Sequence, residues 1–346
     1  MHIPNALLDP QVAIATGVIG AAGLAYGLRS LERSLGEATT VKMGIMAAFV
    51  FAAQMVNFPL GVLPASGHLL GGVLAAVMLG PWGGTVVIAA VLIVQCLLSG
   101  DGGLTALGAN FINMGLIGAG VGSLIYTPIR RLIGGRTGVL VGAMIAAWLS
   151  VILAAGAFSI ELAASRRSHD FFQVLSLMTM VHAVIGVGEA LITGMVVRFI
   201  LRTRPDLIEG VEADESDGGH ASRRGGWVRL GAAGLACALA VGIFLAPFAS
   251  SYEDGLEYVG GESNLRFTPS AERSAPTVPP PLPNYQFPGL DRFSLKMATA
   301  TSGAIGTLVV FGFAIALASG LNSLKPHAPD VNPVLAKAGG LGDEAR

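Results

Sequence analysis

Nine apolar stretches decide what this chain can fold into. They run over residues 10–29, 43–60, 67–80, 82–99, 104–127, 136–160, 172–203, 227–249 and 296–320. A helix needs about 20 mostly apolar residues to cross a bilayer. Inside hydrocarbon its backbone polar groups must be satisfied within the protein. Barrel strands would alternate over about 10 residues, whereas these stretches are apolar all round. The expected fold is all-α, a polytopic transmembrane helical bundle. The third stretch is short, and Pro64, Gly67, Gly71 and Gly72 weaken its start, so it is expected to be tilted or partly re-entrant. Charged residues make up only 12% of the chain, about half the share of a soluble domain, which excludes an ordinary cytosolic enzyme. A formal net charge of −1 offers no basic surface for nucleic acid.

Lys and Arg set the expected orientation. Arg29, Arg33 and Lys42 lie between the first two stretches, and Arg130, Arg131 and Arg136 between the fifth and sixth. Arg198, Arg202, Arg204, Arg223, Arg224 and Arg229 flank the join between the seventh and eighth. Placing all of these in the cytoplasm puts the N-terminus outside and the C-terminus inside a bacterial inner membrane. Arg166 and Arg167 then fall outside, near Glu161 and Asp170. No Lys or Arg precedes the first stretch, so the positive region of a signal peptide is missing and the N-terminus is expected to be retained. The expected organisation is a seven-helix unit (1–204), a polar cytoplasmic linker (205–226), a two-helix hairpin (227–325) and a cytoplasmic tail (326–346). The hairpin's loop, 250–295, falls outside. It carries Glu253, Asp254, Glu257, Glu262, Glu272 and Asp291, and its Pro279–Pro283 run favours extended polyproline geometry.

No lysine follows a glycine, so the phosphate-cradling Gly-Lys-Ser/Thr step is absent. A His-Glu-x-x-His zinc-protease motif is absent too. Two cysteines, Cys96 and Cys237, are too few for a disulfide framework or a thiolate cluster. The histidines say more. At position 2, a free terminal amine, the amide nitrogen of residue 2 and the His2 imidazole can close two fused rings on one metal ion. That tetragonal nitrogen set suits Ni(II) or Cu(II). His68, at the start of the third stretch, is the candidate fourth ligand. The alternative is a loose terminal His2 and an interfacial His68.

His182 and Glu189, seven apart in the seventh stretch, share a helix face. Ionisable groups inside a membrane usually face the bundle interior and are functional; the alternative is a structural pair. Gln54, Asn57, Gln95, Asn110 and Asn113 are buried amides that either orient metal ligands or join helices. Asp101 either caps the fifth helix or attracts a cation. Small-residue stripes, Gly44/Ala48/Ala52 and Ala13/Gly17/Ala21/Ala25, pack helix on helix, with an internal or an external partner. His169, His220 and His327 are expected in solvent, and Trp82 and Trp227 at the membrane interface.

Several motifs carry a family resemblance. MHIPNALLDP, AQMVNFPLG with SGHLLGG, SGDGGLTALGANFINMGLIGAG and VHAVIGVGEA resemble the CbiM/NikM family, the substrate-capture components of energy-coupling-factor importers for cobalt and nickel. The resemblance covers about residues 1–204. Residues 227–325 resemble the accessory CbiN/NikN-type PDGLE domain, with Glu253 in place of the signature proline before Asp254-Gly255-Leu256-Glu257. The resemblance implies metal held by the Met1 amine, the His2 amide nitrogen, the His2 imidazole and the His68 imidazole. It implies Ni²⁺ or Co²⁺ as cargo and no cofactor of the chain's own. The implied partners are a transmembrane coupling subunit and two ABC-type ATPases, which the missing P-loop suits, together with membrane lipid. The rival reading is a self-sufficient, proton-coupled permease using His182 and Glu189. A receptor that binds metal without transporting it is a third.

Overall fold

Among the residues described by the computed structural model (2–32, 35–165, 170–211, 224–262, 264–269, 275 and 279–323), seven helices are long and apolar enough to cross a bilayer. They are α1 (Pro10–Glu32), α3 (Gly72–Ser99), α4 (Leu104–Ile133), α5 (Gly135–Ala164), α6 (Phe171–Thr203), α7 (Gly225–Phe248) and α9 (Leu295–Ser323). Two more complete the fold: α2 (Glu37–Gln54), whose first two turns carry Glu37 and Lys42, and the short α8 (Gly255–Gly260). The chain is a multi-pass, all-helical membrane protein. Met1, His169, His220, His327, most of the 205–226 linker and the 326–346 tail lie outside the described residues.

Local chemistry sets several boundaries. Pro10 opens α1, where its missing N–H costs nothing and its fixed φ suits a helix. Asp170 caps α6 by accepting from the Gln173 N–H at 2.8 Å, satisfying one of the donors a helix start leaves open.

α3 is where the fold departs from a plain bundle. Its backbone breaks at Gly80 (φ 75°, ψ 170°), a conformation nearly closed to other residues. A Cβ on Gly84 would lie 2.7 Å from the Ala76 nitrogen. Eight positions along a straight helix are about 12 Å apart, so the chain doubles back. The expected stretches 67–80 and 82–99 are thus two arms joined at Gly80. The first arm, 72–79, spans about 12 Å, less than half of a hydrocarbon core. Its start rests on the middle of α4, where a Cβ on Gly72 would meet the Gly118 carbonyl carbon at 2.5 Å. Its end reaches a basic face, where Lys42 Nζ donates to the Met78 carbonyl at 3.1 Å. The third stretch is therefore a broken crossing and not a re-entrant one: residues 55–71 descend from the opposite face to mid-bundle, and the 72–79 arm completes the crossing.

Helices α7 and α9 flank α2. A Cβ on Gly44 would lie 2.8 Å from Ile315 Cγ1 on α9, and one on Gly234 would lie 2.7 Å from Ile45. Ala48 and Ala52 are fully buried. The Gly44/Ala48/Ala52 stripe therefore packs inside this chain, against α9. The stripe on α1 is used at one point: a Cβ on Gly108 of α4 would meet Gly17 Cα at 2.5 Å. Backbones this close need glycine on the contact.

Candidate metal-capture site

The site lies at the face opposite the basic one, where three segments distant in sequence converge. The N-terminal segment comes first. Asn110 on α4 clamps the backbone of Ile3, its Oδ1 accepting from the Ile3 N–H at 2.7 Å and its Nδ2 donating to the Ile3 carbonyl at 3.2 Å. The Gly103 N–H adds a third tie to the Ile3 carbonyl at 2.8 Å. His2 is thereby drawn into the protein, 9% exposed.

The second segment is the descending loop. Phe58–Pro59 pairs antiparallel with Ser66–Gly67, which aims His68 inward. The loop ends at Gly71 (φ 77°). There Glu189 of α6 accepts from the Leu70 N–H at 2.5 Å and the Gly71 N–H at 2.9 Å. These amides are donors that a helix start leaves unsatisfied. A carboxylate at this end also suits the helix dipole. Gln54 donates to the Leu70 carbonyl at 2.9 Å and accepts from Gln95 Nε2 at 2.7 Å. His68 is 8% exposed. The His2 and His68 rings stack with centroids 5.1 Å apart and planes 20° from parallel.

The third segment is the α7–α9 loop. Its backbone joins the descending loop: the Ser66 N–H donates to the Glu253 carbonyl at 2.8 Å, and Ser66 pairs with Asp254 in a parallel bridge. The Ser250 N–H donates to the Asn57 carbonyl at 2.8 Å. Asp254 and Glu257 form a capping box on α8: Asp254 Oδ1 accepts from the Glu257 N–H at 2.8 Å, and Glu257 Oε2 from the Asp254 N–H at 3.4 Å. The Asp-Gly-Leu-Glu signature thus builds its own helix start beside His68. Further along, the Leu282 N–H donates to the Leu98 carbonyl at 2.8 Å.

These segments enclose a vestibule of about 560 Å³, lined by His2, His68, Asp101, Asp254, Glu257 and Tyr285 among others. Burial lowers the basicity of His2, against the opposing pull of Asp101. That shift favours the neutral imidazole that a metal ion needs. His68 Nδ1 lies 3.0 Å from the Leu69 carbonyl. Donation there places the ring proton on Nδ1 and the lone pair on Nε2. His2 Nδ1 lies 3.3 Å from Asp101 Oδ1. The Glu257 carboxyl is pushed up to about 7, by the neighbouring Asp254 charge first and by burial second.

The sequence-derived candidates separate. His2 and His68 come together; the Met1 amine lies outside the described residues. Gln54 and Gln95 form one buried pair beneath the His68 loop, Asn110 holds the N-terminal segment, and Asn57 lines the vestibule. Glu189 supports the descending loop. Asn113 sits apart from the site, donating to Glu161 at 2.9 Å. His182 lies below His68 and faces Gly255. Sequence reasoning placed Asp254, Glu257 and Tyr285 in an outer loop without bringing them to His68. The pairing of Ser66 with Asp254 joins positions with no periodic signal between them. Among the described residues, no three His, Cys, Asp or Glu side chains gather as a ready metal cluster.

Residues 2–207 match the model of the cobalt uptake substrate-specific transmembrane region, CbiM, and 229–323 match the PDGLE domain. The chain belongs to the CbiM family. An Archaeoglobus fulgidus relative that bears the name of a fused nickel transport protein, NikMN, is 35% identical over 92% of this chain and 98% of its own. The fused nickel transport protein NikMN of Rhodobacter capsulatus is 29% identical over 69% of this chain and 72% of its own. A crystal structure of a truncated transition metal transporter superposes with a TM-score of 0.53 at 31% identity, covering 58% of this chain and 99% of that one. The chain is a metal transport component of the CbiM/NikM type, with a PDGLE domain in the same polypeptide.

Proposed function

We propose that this chain captures Ni²⁺ or Co²⁺ from outside the cell for an ATP-driven importer of the energy-coupling-factor type. The Met1 amine, the His2 amide nitrogen, the His2 imidazole and the His68 imidazole hold the ion. A separate coupling subunit and two ATPases drive its release inside. The observation that carries this reading is the stacking of the His2 and His68 rings, 66 positions apart in sequence, at 5.1 Å under an acid-lined vestibule. Both rings are buried, and Asp101, Asp254 and Glu257 give an approaching cation a favourable path. The vestibule is then the outer face, and the face of Lys42, Arg130 and Arg204 is the cytoplasmic one.

The permease reading is weaker. Glu189 receives two backbone N–H groups at the head of the 72–79 arm, which gives it a structural task. The deciding experiment is metal uptake into vesicles holding this chain with and without its ATPase partners. ATP-dependent uptake with partners supports the proposal. Uptake by the chain alone under a proton gradient would replace it with the permease, and binding with no accumulation in either case would make the chain a receptor.

A further inference from the structure

Below the vestibule lies a second, much smaller space. It measures about 10 Å³ and is lined by Gly67, His68, Val151, His182 and Gly255 among others. That is about the room one water needs. His68 is the shared wall, since it lines both this space and the vestibule.

His182 is unusual within it. Its ring is 2% exposed. Its Nδ1 lies 2.8 Å from the Met178 carbonyl one turn back on α6. A carbonyl only accepts, so Nδ1 carries the proton and Nε2 the lone pair. That Nε2 is buried with no hydrogen-bond partner. A buried polar atom is almost always paired, and one left open beside a small cavity is what a transient ligand needs. The backbone of Gly255 bounds the same spot: a Cβ there would lie 3.2 Å from His182 Nε2 and 3.0 Å from Cε1.

We propose that His182 is a second metal ligand, forming with His68 an inner station through which the ion passes after capture. The inference rests on the capture reading above. The ion first binds with His2 and His68. The His68 ring then turns from the vestibule toward the smaller space while keeping its bond to the metal. His182 Nε2 takes the place that the N-terminal ligands give up. As the N-terminal ligands let go, the His2 amide nitrogen takes back from vestibule water the proton it gave up on capture; nitrogen donors are exchanged for a nitrogen donor, so no redox partner is needed. The space has room for the ion or for one water and not for a hydration shell, so the dehydrated state is kept across the transfer.

The test uses the purified full chain and the metal ions alone, then the reconstituted transporter. His182→Gln keeps a donor for the Met178 carbonyl and removes the imidazole. Nickel affinity by calorimetry should stay within about twofold, because the outer site is intact, while ATP-driven uptake falls at least tenfold. Loss of affinity and uptake together would make His182 part of the outer site or of the fold, and unchanged uptake would remove it from the path; either result overturns the proposal. A second variant reads contact directly. In a Cys96→Ser/Cys237→Ser background, His182→Cys loaded with Co²⁺ should show a thiolate-to-metal charge-transfer band, absent from the same background with His182 in place. No such band, in a variant that binds Co²⁺ and melts like its parent, means the metal does not reach position 182 and overturns the station. Should the unmutated chain fail to bind nickel at all, the capture reading fails first, a result distinct from each of these.

Discussion

The Tyr285 hydroxyl donates to Asp101 Oδ2 at 2.6 Å, joining residues 184 positions apart. The other oxygen of the same carboxylate lies 3.3 Å from His2 Nδ1. One side chain of the PDGLE domain thus bears, through a single carboxylate, on a candidate ligand at the far end of the chain. Burial and the Asp101 charge push the Tyr285 phenol well above its usual range, so it stays a donor at any physiological pH.

Tyr285→Phe removes that bond and little else. A hydrogen bond to a charged partner is worth about 1.5–3 kcal/mol, and Asp101 recovers part of it from water in the vestibule. Metal affinity measured by calorimetry should fall about tenfold, with an unchanged melting temperature. Unaltered affinity would make the contact a bystander to capture.

The chelate at the N-terminus depends on a free Met1 amine, and His2 is too bulky a second residue to favour removal of Met1. One residue added before Met1, or acetylation of it, turns that amine into an amide. Tight binding should be abolished, a loss of at least about 100-fold given the coupling of metal binding to deprotonated ligands. The same tag at the C-terminus should leave affinity intact. Native affinity in an N-terminally extended chain would sink the amine as a ligand.

His68→Ala should likewise lose high-affinity binding while the protein inserts and folds, because the loop is held by Glu189, Gln54 and the Ser66 pairing rather than by the imidazole. Calorimetry on the purified variant decides it, with circular dichroism as the check on fold.

The pH dependence of capture should follow Glu257. Its carboxyl, raised to about 7, is neutral below that value and charged above it. The vestibule therefore gains negative charge as pH rises from about 6 to 8, and the metal association rate at low ionic strength should rise with it. Glu257→Gln should flatten that rise. Stopped-flow measurement at several salt concentrations separates it from screening.

The packing of α9 gives a test of the interface between the two units. Gly306 sits against the Phe51 ring with no room for a Cβ, and a Cβ on Gly303 would lie 2.5 Å from the Gly242 carbonyl oxygen. Gly306→Val, on the contact between α9 and α2, should cost about 1–3 kcal/mol by overpacking, seen as a lower melting temperature and faster proteolysis of the 250–295 loop. Ala48→Leu belongs to the same class, since Ala48 faces α9 within this chain.

The apolar stretches, read by length alone, located the helices, and the glycines and proline at the start of the third stretch marked where its helix is delayed to Gly72, although the segment crosses the bundle instead of turning back. The boundary between the 67–80 and 82–99 stretches coincides with the turn at Gly80, but its sharpness was not legible, since Gly-Pro within an apolar run is equally compatible with a kinked straight helix. The candidate site divides in the same way. His2 was visible because a terminal chelate is a local property, and His68 because its motif is recognisable. Asp254 and Tyr285 were not, because their approach is fixed by Ser66, Asn57 and Leu98 backbone atoms, which any residue type carries. Glu189 was readable as a membrane-buried acid, but its task needed the Leu70 and Gly71 amides to be placed first.

The bridge from Ser66 to Asp254 has a consequence for assembly. In a chain that carries both units, its closure is a unimolecular event, whose effective concentration does not depend on expression level. Two separate polypeptides would need expression levels near their mutual dissociation constant to match that occupancy, and any imbalance would leave some sites without Asp254 and Tyr285. Fusion fixes the ratio at one to one and makes completeness of the site independent of dosage.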